Sequence, residues 1–104
     1  MEHKGKIQLL RSEEIGKIIA KYIEENDFCD RSTIITVTDV SLNDRMDVAK
    51  VYISIFPKER ELFIFQDIEK NIYYMQEHLN KNLRCRISPR IKLFLIQEKN
   101  LNIK

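Results

Sequence analysis

Five apolar residues recur at helical spacing near the start of the chain. Ile15, Ile18, Ile19, Tyr22 and Ile23 fall at i, i+3, i+4, i+7 and i+8, the stripe that an α-helix turns toward a core. Ser12, followed by Glu13 and Glu14, supplies a hydroxyl to cap a free backbone N–H and acids for the positive end of the helix dipole. A first helix is therefore expected from Ser12 to about Asn26. The pattern then changes. Thr33 to Ser41 is dense in β-branched residues, which suit a pleated sheet. After the turn residues Asn43-Asp44-Arg45, the segment Val48 to Phe56 alternates cleanly. Ala49, Val51, Ile53 and Ile55 share one face, and Lys50, Tyr52 and Ser54 the other. Two strands joined so closely form an antiparallel hairpin, and Pro57, which cannot donate to a ladder, ends the second.

From Glu59 to Leu83 the residues Ile68, Ile72, Met75, Leu79 and Leu83 step by four, three, four and four, which predicts one long second helix. Leu62 to Phe65 are too apolar for a single exposed turn, so the front of this helix is expected to wrap onto the core or to begin as a separate turn. Pro89 opens a last strand with Ile91, Leu93 and Leu95 on one face and Arg90, Lys92, Phe94 and Ile96 on the other. The order is α-β-β-α-β. A three-stranded amphipathic sheet covered by the helices beside it gives a two-layer α+β sandwich. The last strand, arriving after a long helix, reaches the sheet by a crossover and pairs parallel to one of the hairpin strands. Periodicity leaves open which one.

A chain of 104 residues holds one domain, 1–104, and its two Gly and two Pro leave no room for a long flexible linker. Residues 1–10, with Lys4 and Lys6, are expected to be a flexible basic tail, ending beside Arg11. No apolar run approaches the roughly 18 residues that cross a bilayer, and no secretory leader is visible. A cytoplasmic monomer is the expectation. Cys29 and Cys85 lack partners at redox or zinc spacing and read as reduced thiols in or near the core.

Charge changes the picture only when it is divided along the chain. Residues 1–59 carry a net −2 and residues 60–104 a net +4. Within the second part, Lys81, Arg84, Arg86, Arg90 and Lys92 occupy one window with no acid among them. A merely soluble face intermingles the two signs, so this zone favours contact with a polyanion. Arginine forks suit phosphate oxygens, and lysines act as point charges. Part of the effect is structural, because cations at a helix C-terminus also answer the dipole. Lys50 with Tyr52, and Lys92 with Phe94, point away from the apolar side of their strands and would form a stacking platform for bases. Aromatics on a half-buried sheet are, however, more often packing residues.

The residues Ile35-Thr36-Val37-Thr38-Asp39-Val40-Ser41, Asp47-Val48-Ala49-Lys50-Val51-Tyr52-Ile53-Ser54 and Leu79-Asn80-Lys81-Asn82-Leu83-Arg84-Cys85-Arg86-Ile87-Ser88-Pro89-Arg90-Ile91 together resemble the ribosome-binding factor A family over about nine tenths of the chain. The resemblance implies a type II KH-like fold and a protein that binds the immature small ribosomal subunit, contacts its ribosomal RNA, and assists late maturation and rRNA processing, especially in the cold. It implies no cofactor and no catalysis. A KH domain clamps nucleic acid with a GXXG loop, which the family replaces by an Ala-x-Gly kink between two helices. Here the matching positions read Asn71-Ile72-Tyr73, which predicts a shallower bend or one placed elsewhere. Carried onto this chain, that segment adds Lys70 and Asn71 to the RNA-binding candidates Lys81, Arg84, Arg86, Arg90, Lys92, Lys50 and Arg11.

The competing readings are weaker. His3 and His78 have no carboxylate or thiol at ligand or catalytic spacing and read as surface residues. Asp39, Asp44 and Asp47 lack a Ca²⁺-loop pattern, so no metal site is expected. Of Tyr73 and Tyr74, a helix this apolar should bury at least one. With no nucleophile–base pair and no phosphate loop, an enzyme acting on a small-molecule substrate is not expected, nor is a membrane partner. The main alternative is a protein–protein interaction module using the sheet edge and the exposed aromatics.

Overall fold

A computed structural model describes residues 5–26, 28, 32–84 and 88–97. Helix α1 runs over Lys6–Glu25, followed by strands β1 (Ile34–Leu42) and β2 (Val48–Phe56), a 3₁₀ turn at Lys58–Arg60, helices α2 (Glu61–Lys70) and α3 (Ile72–Asn82), and strand β3 (Arg90–Leu95). The expected α+β sandwich is present, with the helices on one face of a three-stranded sheet.

Helix α1 starts six residues before Ser12. Lys6 to Arg11 contains no helix breaker, and the cap comes from Gln8, whose side-chain oxygen accepts the Gly5 N–H at 3.1 Å. The same amide donates to the Asn43 carbonyl at 3.1 Å, tying the helix start to the hairpin turn. Ser12 is thus interior to the helix, and of the expected basic tail, residues 6–10 are helical.

The hairpin forms as its alternation requires, with one irregularity. Val37 lies opposite Ile53 and Asp39 opposite Tyr52, so Thr38 is an extra residue in β1. Such a bulge shifts the side-chain parity by one. That shift is what lets Ile35 and Val37 before it, and Val40 and Leu42 after it, all pack on the core. The turn is held by Asn43, whose Oδ1 accepts from Asp47 N–H at 2.9 Å and Val48 N–H at 3.0 Å.

β3 pairs parallel to β2, from Val48↔Arg90 to Ile53↔Leu95, and the strand order is β1-β2-β3. β2 is therefore central, and its inward residues Ala49, Val51 and Ile53 are wholly buried. They meet Ile15 and Ile19 of α1, Ile68 of α2 and Met75 and Leu79 of α3, all likewise inaccessible to solvent. Burying each of the larger side chains is worth roughly 1.5–3 kcal/mol.

The long helix expected from Glu59 to Leu83 is divided. Its front is a separate 3₁₀ turn, and a break at Asn71 separates α2 from α3. The break occurs without Gly or Pro. The Asn71 N–H shortens its reach to the Ile68 carbonyl at 3.0 Å, and its side-chain amide donates at 2.9 Å to the Asp67 carbonyl. A regular α-helix would have sent that backbone N–H to Asp67, so the asparagine replaces the lost bond with its own side chain. The break falls at Asn71, the first residue of the Asn71-Ile72-Tyr73 segment.

Candidate nucleic-acid interface

Helix α3 runs beside the outer edge of β3, and Gln76 links the two. Its Nε2 donates to the Pro89 carbonyl and its Oε1 accepts the Ile91 N–H, both at 2.9 Å, as a neighbouring strand would. On one side of this bridge lies a shallow depression lined by Asp47, Asn80, Ser88, Arg90 and Lys92. On the other, a second groove is lined by Glu69, Ile72, Leu93 and Phe94. Lys92 reaches both.

The second surface is the face of the sheet that none of the described helices covers. Its rows can be read from the register. Arg90 stands beside Val48, Lys92 beside Lys50, and Phe94 beside Tyr52. The rings of Tyr52 and Phe94 stack at a centroid distance of 5.4 Å with 25° between planes. On the β1 side, Ser41 adjoins Lys50 and Asp39 adjoins Tyr52.

Of the predicted site residues, Arg90, Lys92 and Lys50 are brought together on this open face, all exposed. Lys81, in the last turn of α3, and Arg84 just beyond it are exposed near the depression that Asn80 and Ser88 line. Lys70 ends α2, and Asn71 makes the break at the other end of α3. Arg86 lies outside the described residues, as do Cys29, Cys85 and His3. Arg11 does not join the group: it belongs to the helical layer, where its Nε lies 4.0 Å from Glu14. Among the described residues, none of Lys50, Lys81, Arg84, Arg90 and Lys92 makes an ion pair.

Two other expectations are corrected. Tyr73 and Tyr74 are both exposed, because α3 turns Met75 and Leu79 inward and leaves the tyrosines on its outer side, edge to face with each other. His78 is half-buried, its ring 5.3 Å from that of Tyr22. The Tyr22 phenol is pushed above its ordinary value, first by burial and then by Tyr74. That of Tyr73 is raised by its hydrogen bond to Glu77. Reading the sequence missed Gln76 altogether, since one glutamine at a polar helix position carries no signal of its own. Among the described residues there is no cluster of His, Cys, Asp and Glu able to hold a metal ion. None of their helices is long and apolar enough to cross a membrane.

Helices packed on one face of a mixed sheet, with a helix break facing the edge of the last strand, define a KH-like domain, an α+β fold of RNA-binding type. A model of the ribosome-binding factor A family matches residues 6–99, and the chain belongs to that family. The ribosome-binding factor A of Coprothermobacter proteolyticus is 33% identical over 92 residues, covering 88% of this chain and 64% of the relative. The chain thus spans a little under two thirds of that relative's length. The crystal structure of ribosome-binding factor A from Thermus thermophilus superposes with a TM-score of 0.70 at 19% identity, covering 85% of this chain and 94% of the other. A homology model of the Thermus thermophilus factor, fitted into a cryo-EM map of its complex with the 30S subunit, gives 0.60 at 19% identity, over 88% and 93% of the two chains. At these identities the likeness to the solved structures is one of fold.

Proposed function

We propose that this chain is a ribosome assembly factor that binds the immature small ribosomal subunit through its ribosomal RNA and assists late maturation and rRNA processing. The observation that carries the reading is the set of cations without acidic partners among the described residues: Lys50, Arg90 and Lys92 on the sheet, continuing to Lys81 and Arg84 at the end of α3. Such a surface neutralises phosphates and releases their counterions, so affinity falls steeply with salt. Lys70, which ends α2, and Asn71, at the helix break, belong to the proposed contact as the segment that the family resemblance assigns to it. Membership of the family, together with the 30S complex of the Thermus factor, supports the choice of partner. The role is one of binding, without cofactor or catalysis.

Sedimentation of cell extract through a sucrose gradient at moderate salt tests the proposal. The protein should travel with free small subunits, and replacing Arg84, Arg90 and Lys92 together by Gln should release it. Migration only with translating ribosomes, or with no ribosomal particle, would overturn the reading. So would binding that is indifferent to salt.

A further inference from the structure

We infer that the open sheet face is a platform for unpaired RNA bases, with Tyr52 and Phe94 receiving the bases and Lys50, Lys92 and Arg90 the backbone beside them. The inference deepens the RNA-binding reading and rests on it. Two adjacent rows of the sheet each leave something for a ligand to complete: an uncompensated pair of like charges, and a ring stack that ends in solvent. Lys50 and Lys92 are register partners on neighbouring strands, and like charges directly opposite each other destabilise a sheet. One row further on, Tyr52 and Phe94 stack on each other outside the core, and Phe94 remains 40% exposed. The rows are about 6.6 Å apart, two residues along a strand.

One ligand answers both rows: a single strand, whose phosphates neutralise the lysines and whose bases present planar faces that extend the ring stack. A duplex does not, because its bases are stacked on one another and hidden from the rings. Asp39 gives the face a direction. It lies beside Tyr52 on the β1 side and repels phosphate, so the backbone follows the β2 and β3 side, where all three cations stand.

The test measures fluorescence anisotropy of a labelled RNA octamer of mixed sequence, and of a hairpin of matching composition, against the full chain. The octamer should bind more tightly than the hairpin. Phe94→Leu, which keeps an apolar side chain without a ring, should weaken the octamer roughly five- to a hundredfold, whereas Phe94→Tyr should retain it and the hairpin should not change. The pair Lys50→Gln and Lys92→Gln removes the repulsion between the strands and so leaves the fold intact. It should lower the salt slope of octamer binding by about 1.4, two contacts at roughly 0.7 each. This pair decides the matter if Phe94→Leu fails to fold by circular dichroism.

Three results would overturn the inference: no octamer binding by the unaltered chain, which would leave the face to a protein; undiminished binding by a folded Phe94→Leu; or an unchanged salt slope. No ribosome enters the assay. Failure here with intact co-sedimentation removes only the platform, and loss of co-sedimentation with intact octamer binding removes only the assembly role.

Discussion

Gln76 completes the outer edge of β3 by holding Ile91: the side-chain oxygen takes the Ile91 N–H at 2.9 Å while the amide nitrogen serves the Pro89 carbonyl. Removing one partner of a half-buried hydrogen bond costs more than the bond itself contributes, because the other partner is left dry. Gln76→Ala should therefore destabilise the protein by about 1–3 kcal/mol in urea unfolding. Gln76→Glu keeps the acceptor but sets a carboxylate against a carbonyl, and its deficit should shrink when the carboxyl is protonated at acid pH.

Burial raises the Tyr22 phenol above its ordinary value of 10.0, so the folded protein favours the neutral ring. A group raised in this way contributes stability that is fully present below about pH 10 and is lost as pH rises through the folded value. Thermal melts between pH 9 and 11 should show that decline. Tyr22→Phe, which cannot ionise, should flatten it without abolishing it, since the Tyr73 phenol is also raised.

Asn71 both breaks the helix and repairs the break through its bond to the Asp67 carbonyl. Asn71→Ala should cost about 0.5–1.5 kcal/mol, the worth of one exposed hydrogen bond, measured by urea titration. If the break instead healed into one continuous helix, the substitution would be neutral or stabilising.

Gly16 faces β1 where a Cβ would lie 3.4 Å from Val40 Cγ2. That is ordinary contact, and alanine is favoured over glycine in a helix by about 1 kcal/mol. Gly16→Ala should raise the melting temperature slightly. Gly16→Leu has no room and should destabilise by about 1–3 kcal/mol as α1 is forced off the strand.

Lys92→Glu places an acid opposite Lys50. A favourable cross-strand pair replaces a repulsive one, so stability should rise by roughly 0.2–1 kcal/mol while RNA binding falls. A variant that is more stable in denaturant and weaker on RNA would mark the lysine as kept for its ligand.

How much of this was legible depended on where the information lies. The alternation of Val48 to Phe56 specified β2 and both of its faces, because strand parity is strict. The bulge was written in the step from Ile35 and Val37 to Val40 and Leu42, which no unbroken strand can place on one side. Ser12 misled because Ser-Glu-Glu is a sound cap in isolation, whereas the cap in use is a glutamine side chain that also reaches Asn43, remote in sequence. Helical periodicity runs through Asn71 unbroken, from Ile68 to Ile72 to Met75, so it cannot report a break made by one side-chain amide. The cation window placed Arg90 and Lys92 on the sheet side opposite Ile91 and Leu93. The juxtaposition of Lys92 with Lys50 depended on β3 choosing β2, a long-range pairing on which local pattern is silent.

That pairing has a consequence in time. Lys50 and Lys92, like Tyr52 and Phe94, stand about forty residues apart in sequence, so α2 and α3 must be synthesised before the last strand exists to pair with β2. The hairpin, by contrast, joins residues close in sequence. While a chain is still being synthesised its charge row and ring pair are half assembled, and competence for the proposed ligand arrives last, as a property of the three-stranded sheet.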